Sequence, residues 1–284
     1  MQEGRYMNKN KFDFGSFLLA VVKCAGYYGV YFAVTMVVAA IFGAVIGVSG
    51  NLEDIEKLIA ENTLTLTLMA NALFLLTVAI FYNNRSNYSS FGERIQVKPV
   101  NRKAVPYIFS LAVCAILAVQ IIDIIPFPKS WIDMLYENSG MIITATPFIQ
   151  ILTVAIIGPV AEEVLFRGLM LGALSKTCNK WLAVIATSIV FGIVHGHPIA
   201  IIYASFLGVL MGWLYIKTQS VLAPVIFHMV YNMASLFFPT PTTALTVILM
   251  AALGIGMGAV CVVNIGRLPL PVKKAEKKDD NSEV

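Results

Sequence analysis

Hydrophobic residues in this chain come in long unbroken runs, and polar residues are confined to the short segments between them. Stretches of about 20 apolar residues are long enough to cross a bilayer as helices. Eight runs stand out: within 17–48, 64–82, 105–125, within 147–175, 181–196, 199–217, 221–238 and 243–265. The fifth and seventh are short and carry polar groups. This pattern predicts an all-α polytopic membrane protein with about eight transmembrane helices. Residues 1–146 hold the first three spans and a mixed aromatic segment, 127–140, expected to lie along the outer interface. Residues 147–266 hold the polar-bearing spans, and 267–284 form a charged tail expected to be disordered.

The basic residues fix an orientation. Lys23 and Arg167 lie within runs. Alternation over eight spans puts every other Lys and Arg on one side, except Lys57 and Lys129. That side carries Arg94, Lys98, Lys176, Lys180, Lys217 and Arg267, and it predicts cytoplasmic N- and C-termini. The opposite first loop, with Glu53, Asp54, Glu56 and Glu61, is acidic.

Composition agrees: the chain is 58% hydrophobic and 13% charged, with a formal net charge of +4. A soluble domain carries about 25% charged residues. The positive balance reflects orientation and contact with anionic lipid, not nucleic-acid binding. Cys24, Cys114, Cys178 and Cys261 are scattered, with no CxxC or Cys/His cluster, so they suggest neither a disulfide framework nor a thiolate zinc site. The first apolar run is too long for the core of a cleavable signal and reads as a signal anchor. Two GxxxG pairs, Gly168/Gly172 and Gly208/Gly212, allow close helix packing.

Against this background, Glu162, Glu163 and Arg167 are expensive. A charge at bilayer depth costs on the order of a few kcal/mol even on permissive scales. Glu163 and Arg167 are four apart and can pair on one helix face; Glu162 points about 100° away. Gly158-Pro159 is expected to break or kink the run just before them, placing the carboxylates near a helix start. His195 closes the fifth run, with Phe191 one turn before it. His228 and Asn232 share a face of the seventh. At ~1.5 Å rise per residue, Glu162 and His195 come out at roughly 20 Å from the basic side, Asn232 at about 16 Å and His228 nearer 10 Å. Boundary error of a few residues lets all four meet at one level. A carboxylate removed from water is a stronger base. Glu162 with His195 could then activate a water, while His228 and Asn232 donate to a developing oxyanion. Zinc held by Glu162, His195 and His228 is an equally legible use of the same groups. His197 is expected to be an ordinary loop residue, and Asp123 an interfacial one.

Glu162-Glu163-x-x-x-Arg167, Phe191-x-x-x-His195 and His228-x-x-x-Asn232, in this order on separate spans, resemble the CPBP family of intramembrane proteases. This is the family of the CAAX prenyl endopeptidase Rce1 and of bacterial bacteriocin-processing and immunity (Abi) proteins. The resemblance covers roughly 150–236. It implies an Rce1-like bundle with a cytosol-accessible site. It also implies that Glu162 and His195 activate water, that His228 and Asn232 stabilise the oxyanion, and that Glu163 and Arg167 support them. Both zinc-dependent and metal-free glutamate mechanisms are associated with the family.

The expected function is thus an intramembrane endopeptidase of a bacterial cytoplasmic membrane. Its expected partners are the lipid bilayer and a peptide or membrane-tethered protein substrate. Two alternatives use the same residues: a non-catalytic immunity or scaffold factor, and a transporter or proton relay. The concentration of polar groups in one half of the chain argues against the internal repeats common in transporters.

Overall fold

The computed structural model describes residues 13–47, 52–83, 90–143, 145–238 and 243–269, and among these every regular element is a helix. Arg5, Lys9, Lys11, Arg85 and the tail beyond 269 lie outside the described residues. We number the main helices in chain order. They are α1 (Phe14–Gly47), α2 (Leu52–Asn83), α3 (Val105–Ile124), α4 (Lys129–Ile143) and α5 (Pro147–Leu174), followed by α6 (Lys180–Ile193), α7 (Pro198–Thr218), α8 (Leu222–Ser235) and α9 (Ala244–Arg267). All eight apolar runs are helical. Six helices, α1, α2, α3, α5, α7 and α9, are long and apolar enough to cross a membrane. At 14 residues each, α6 and α8 reach only about 21 Å, short of a hydrocarbon core of ~30 Å. The protein is a multi-pass membrane protein.

Helix α2 begins earlier than its apolar run predicts, because residues 52–61, expected as an acidic loop, are already helical. Their Leu, Glu, Lys and Ala content has good helix propensity, so no breaker stops the helix short of the interface. Segment 127–140 is helical over most of its length as α4, with Phe127 and Trp131 stacked, centroids 6.0 Å apart, at its start.

Large apolar side chains such as Leu18, Phe32, Ile41, Phe206 and Val260 are exposed on the outside of the bundle, as lipid-facing residues must be. With lipid outside, helices gain little from hydrophobic burial against one another and rely on close packing. Small residues supply it. A Cβ at Gly208 would come within 2.9 Å of the Ser188 Cβ, and one at Gly212 within 2.8 Å of Val184, so these two glycines seat α7 on α6. At Gly254 an added Cβ would stand 2.5 Å from the Cys114 carbonyl oxygen and 2.7 Å from the Ala118 nitrogen. Gly254 therefore sets the approach of α9 to the backbone of α3.

The basic connections gather at one end. Ser220 Oγ donates to the Lys98 carbonyl, the Val221 amide donates to the Gln96 carbonyl, and Lys217 Nζ donates to the Gly266 carbonyl. Ser16, Lys23, Arg94, Lys98 and Lys176 line a shared cavity there. The described start of α1 lies at this same end.

Because backbone atoms fill the space beside Gly254, Gly254→Val should destabilise the protein by about 1–3 kcal/mol through overpacking. The check is a lowered thermal midpoint of the detergent-solubilised protein. Gly256→Val, where nothing lies within 4 Å, should leave the midpoint unchanged.

Candidate active site

Helix α5 does not break at Gly158-Pro159. It stays helical over 28 residues, and its winding changes instead. A π-helical stretch, Ile151–Ile157, precedes an α segment, Gly158–Glu163, and a second π stretch, Val164–Leu171, follows it. The Gly158 amide donates to the Thr153 carbonyl, five residues back. A Cβ at Gly158 would collide with that same oxygen. The next donor in a π ladder would be residue 159, but proline has no N–H. This leaves the Val154 carbonyl without a helical partner, and Asn232 Nδ2 from α8 donates to it at 2.8 Å. The expected break is thus replaced by a rewound helix whose missing bond is supplied by another helix. The carboxylates sit mid-helix, and a helix-start field does not act on them.

Glu163 is fully buried, with side-chain exposure of 0%, and its partner Arg167 is 1% exposed. Arg167 Nη1 donates to Glu163 Oε1 at 2.6 Å, as the i,i+4 spacing predicts. Arg167 Nη2 donates to the Gly208 carbonyl of α7 at 3.1 Å, and the guanidinium carbon lies 4.6 Å from the centre of the Phe191 ring. The same Glu163 Oε1 takes a second donor, His228 Nδ1, at 2.9 Å. Glu163 is therefore more than Arg167's partner: it also holds an imidazole from α8, 65 residues away.

These bonds assign tautomers. A carboxylate oxygen that already accepts from arginine is an acceptor, so His228 carries its proton on Nδ1 and presents Nε2 elsewhere. His228 Nε2 stands 3.8 Å from Glu162 Oε2, beyond hydrogen-bond distance. In α6, the Phe191 carbonyl lies 2.7 Å from His195 Nδ1. A carbonyl can only accept, so Nδ1 is the donor, and neutral His195 keeps its lone pair on Nε2. Phe191 touches both histidines: its ring centre is 4.7 Å from that of His195 and 5.9 Å from that of His228, both edge-on.

Glu162 is different in kind from its neighbour. Its side chain is 31% exposed, and Oε2, although shielded, accepts no hydrogen bond. It borders a cavity of about 500 Å³ whose lining includes Phe191, His195, His228 and Asn232. Four residues from three helices, the set predicted to meet at one depth, thus face one chamber. Asn232 spends one N–H on Val154, and its amide retains a second. Among the described residues no three His, Cys, Asp or Glu side chains converge as metal ligands. As arranged, Glu162, His195 and His228 border a chamber instead of focusing on a point.

Sequence reasoning missed the contribution of the N-terminal helices. Leu64, Thr67 and Asn71 of α2 line the chamber, as do Gln120 and Asp123 at the end of α3. Asn71 is buried and accepts from the Tyr31 hydroxyl of α1 at 3.1 Å. Its signal, a lone amide within an apolar run, was present in the sequence. Asp123 is exposed at the chamber's rim, and its interfacial reading gains a position beside the site. His197 is not an ordinary loop residue: buried, it accepts from the Ala200 amide through Nδ1 and caps α7. Burial, and then the nearby His195, hold its imidazole below the usual range, consistent with the neutral form the cap requires.

Residues 144–234 match the family described as Type II CAAX prenyl endopeptidase Rce1-like. Over 91 residues the chain is 32% identical to the protein named "Putative membrane peptidase YdiL" of Bacillus subtilis (strain 168). That alignment covers 32% of this chain and spans 37% of the relative's length. No solved structure matches. Every residue of the three motifs falls inside the matched segment.

Removing one partner of a buried ion pair leaves the other uncompensated, typically at about 3–5 kcal/mol. Arg167→Met should therefore lower the thermal midpoint sharply. The double change Arg167→Met with Glu163→Gln should recover most of that loss, because no net charge remains buried.

Proposed function

We propose, from the membership of residues 144–234 in the Rce1-like intramembrane protease family, that this chain is a membrane-embedded endopeptidase. The observation that carries the reading is the half-buried Glu162 carboxylate, which lines a chamber that His195, His228 and Asn232 share. A general base needs access to water: the Glu162 side chain is 31% exposed, whereas Glu163, whose second oxygen is likewise without a hydrogen-bond partner, is fully sealed at 0%.

In this reading Glu162 takes a proton from a water oriented by His195 Nε2, and the water oxygen attacks the scissile carbonyl carbon. The carbonyl π electrons move to oxygen. The amide N–H remaining on Asn232 and a proton on His228 Nε2 face that oxyanion. Collapse re-forms the carbonyl and breaks the C–N bond. The proton on Glu162 passes to the departing nitrogen, leaving a carboxylic acid and an amine. Because Glu163 holds His228 Nδ1–H, donation from Nε2 requires the imidazolium. Glu162 Oε2 lies 3.8 Å from His228 Nε2 and Glu163 Oε1 2.9 Å from its Nδ1. Phe191 packs against both rings and limits their rotation. The substrate is a peptide or a membrane-tethered protein. A prenylated or bacteriocin-type chain is the narrower form that the family description and motif resemblance suggest.

Cleavage of a membrane peptide by purified protein tests this. Glu162→Gln, His195→Ala and His228→Ala should each lose about 10²–10⁴-fold in kcat, the usual contribution of a positioned acid or base. Thermal midpoints near wild type would show that chemistry, not folding, was lost. Full activity in all three would overturn the reading.

A further inference from the structure

Helix α5 borders two cavities, one on each half. Its N-terminal half, at Thr153, Val154, Gly158 and Glu162, lines the candidate site. Its C-terminal half, at Gly168, Leu169, Gly172 and Ala173, lines the cavity of about 560 Å³ that Lys23, Arg94, Lys98 and Lys176 share. The other helices repeat this order. Helix α3 starts just after the basic segment at Arg102 and Lys103, and it reaches the site only with Ile116, Val119, Gln120 and Asp123. Helix α8 starts beside the Ser220–Lys98 and Val221–Gln96 bonds, and reaches the site with His228, Tyr231, Asn232 and Ser235. Helix α2 touches it through Leu64 and Thr67, in the half farther from the basic end, and through Asn71 near its middle.

Along α5 the residues between those that line the two cavities, 163–167, are all buried. Phe166, Phe191 and Phe227 are each no more than 2% exposed, and Leu165 and Arg167 are 1% exposed. Asp123 and Ser235, which line the site cavity, are exposed. The site is therefore closed toward the basic loops and open at the opposite end. Basic loops mark the cytoplasmic face.

We infer that the candidate site is entered from the extracytoplasmic side. Its substrates are then peptide segments presented at the outer membrane surface: an exported peptide, or the outward-facing part of a membrane protein. This reverses the cytosolic access that the motif resemblance implies. The word substrate rests on the peptidase reading; the direction of access does not.

Thiol labelling separates the two. Cys24, Cys114, Cys178 and Cys261, all free thiols, are replaced by alanine. Single cysteines are then placed at the rim (Asp123→Cys, Ser235→Cys), deeper in the chamber (Thr67→Cys) and at the basic end (Lys180→Cys). A membrane-impermeant maleimide is applied to intact cells and to inverted vesicles. The three chamber cysteines should label in intact cells and lose that labelling in inverted vesicles, and Lys180→Cys should do the reverse. Two rim variants guard against one failing to fold. Chamber cysteines that label equally or faster from the cytoplasmic side overturn the inference, as does Lys180→Cys labelling in intact cells. Labelling as expected from a protein that cleaves nothing would leave the access route standing and remove the peptidase reading.

Discussion

One buried carboxylate oxygen, Glu163 Oε1, organises the polar interior of this bundle. It accepts from Arg167 at 2.6 Å and from His228 at 2.9 Å. A lone carboxylate at this depth would be too costly to keep ionised, and a lone guanidinium equally so. Together they neutralise each other, and each then has bonds to spare. Arg167 uses its surplus on Gly208 and the Phe191 ring, which ties α5 to α6 and α7. Glu163 uses its own on His228, which ties α5 to α8. A pair that could have been only a local helix contact thus joins four helices, and the site's two histidines take their positions from it.

The same network explains why two adjacent glutamates differ. On an α-helix, neighbours point about 100° apart, so one position can be sealed in packed protein while the next faces open space. Glu163 is sealed and saturated with donors on one oxygen. Glu162 is 31% exposed and borders the chamber, whereas the second Glu163 oxygen, equally without a donor, does not reach it. Chemistry needs the second condition, yet the first makes it tolerable. The Arg167 charge is largely matched by Glu163 and does not pin Glu162 in a salt bridge. What remains near Glu162 is His228 Nε2 at 3.8 Å, a separation with room for a shared water or a substrate oxygen.

The sequence was most legible where periodicity alone decides structure. Apolar runs located all eight helices that carry them, and i,i+4 spacing located the Glu163–Arg167 pair. It was less legible wherever the partner is remote. The spacing of His228 and Asn232 suggests a shared duty, yet nothing local shows that one is held by Glu163 or that the other fills a carbonyl orphaned by Pro159. The winding of α5 was hidden for a related reason. Proline forbids one hydrogen bond, and a sequence does not say whether the helix breaks or borrows a donor from elsewhere. Here α8 lends Asn232, so the helix continues. Asn71 and Tyr31 were passed over because single polar residues in apolar runs usually serve helix packing, and only the folded bundle places Asn71 at the chamber wall.

The two short helices complete the physical picture. A 14-residue helix cannot cross the hydrocarbon, so α6 and α8 must end within the protein, where their last turns need polar company. The chamber supplies it. His195 follows the end of α6, and Asn232 and Ser235 lie in the last turns of α8, both helices having started at the basic end. Stopping short is what leaves room at the other end of the bundle. Had either helix run its full ~20 residues, its last turns would occupy the space between Glu162 and the rim. Short helices, a chamber at their ends and a half-buried carboxylate at mid-depth are therefore one constraint seen three ways. A pocket inside a membrane protein must be open to some side, and the side we infer is the one at which these two short helices end.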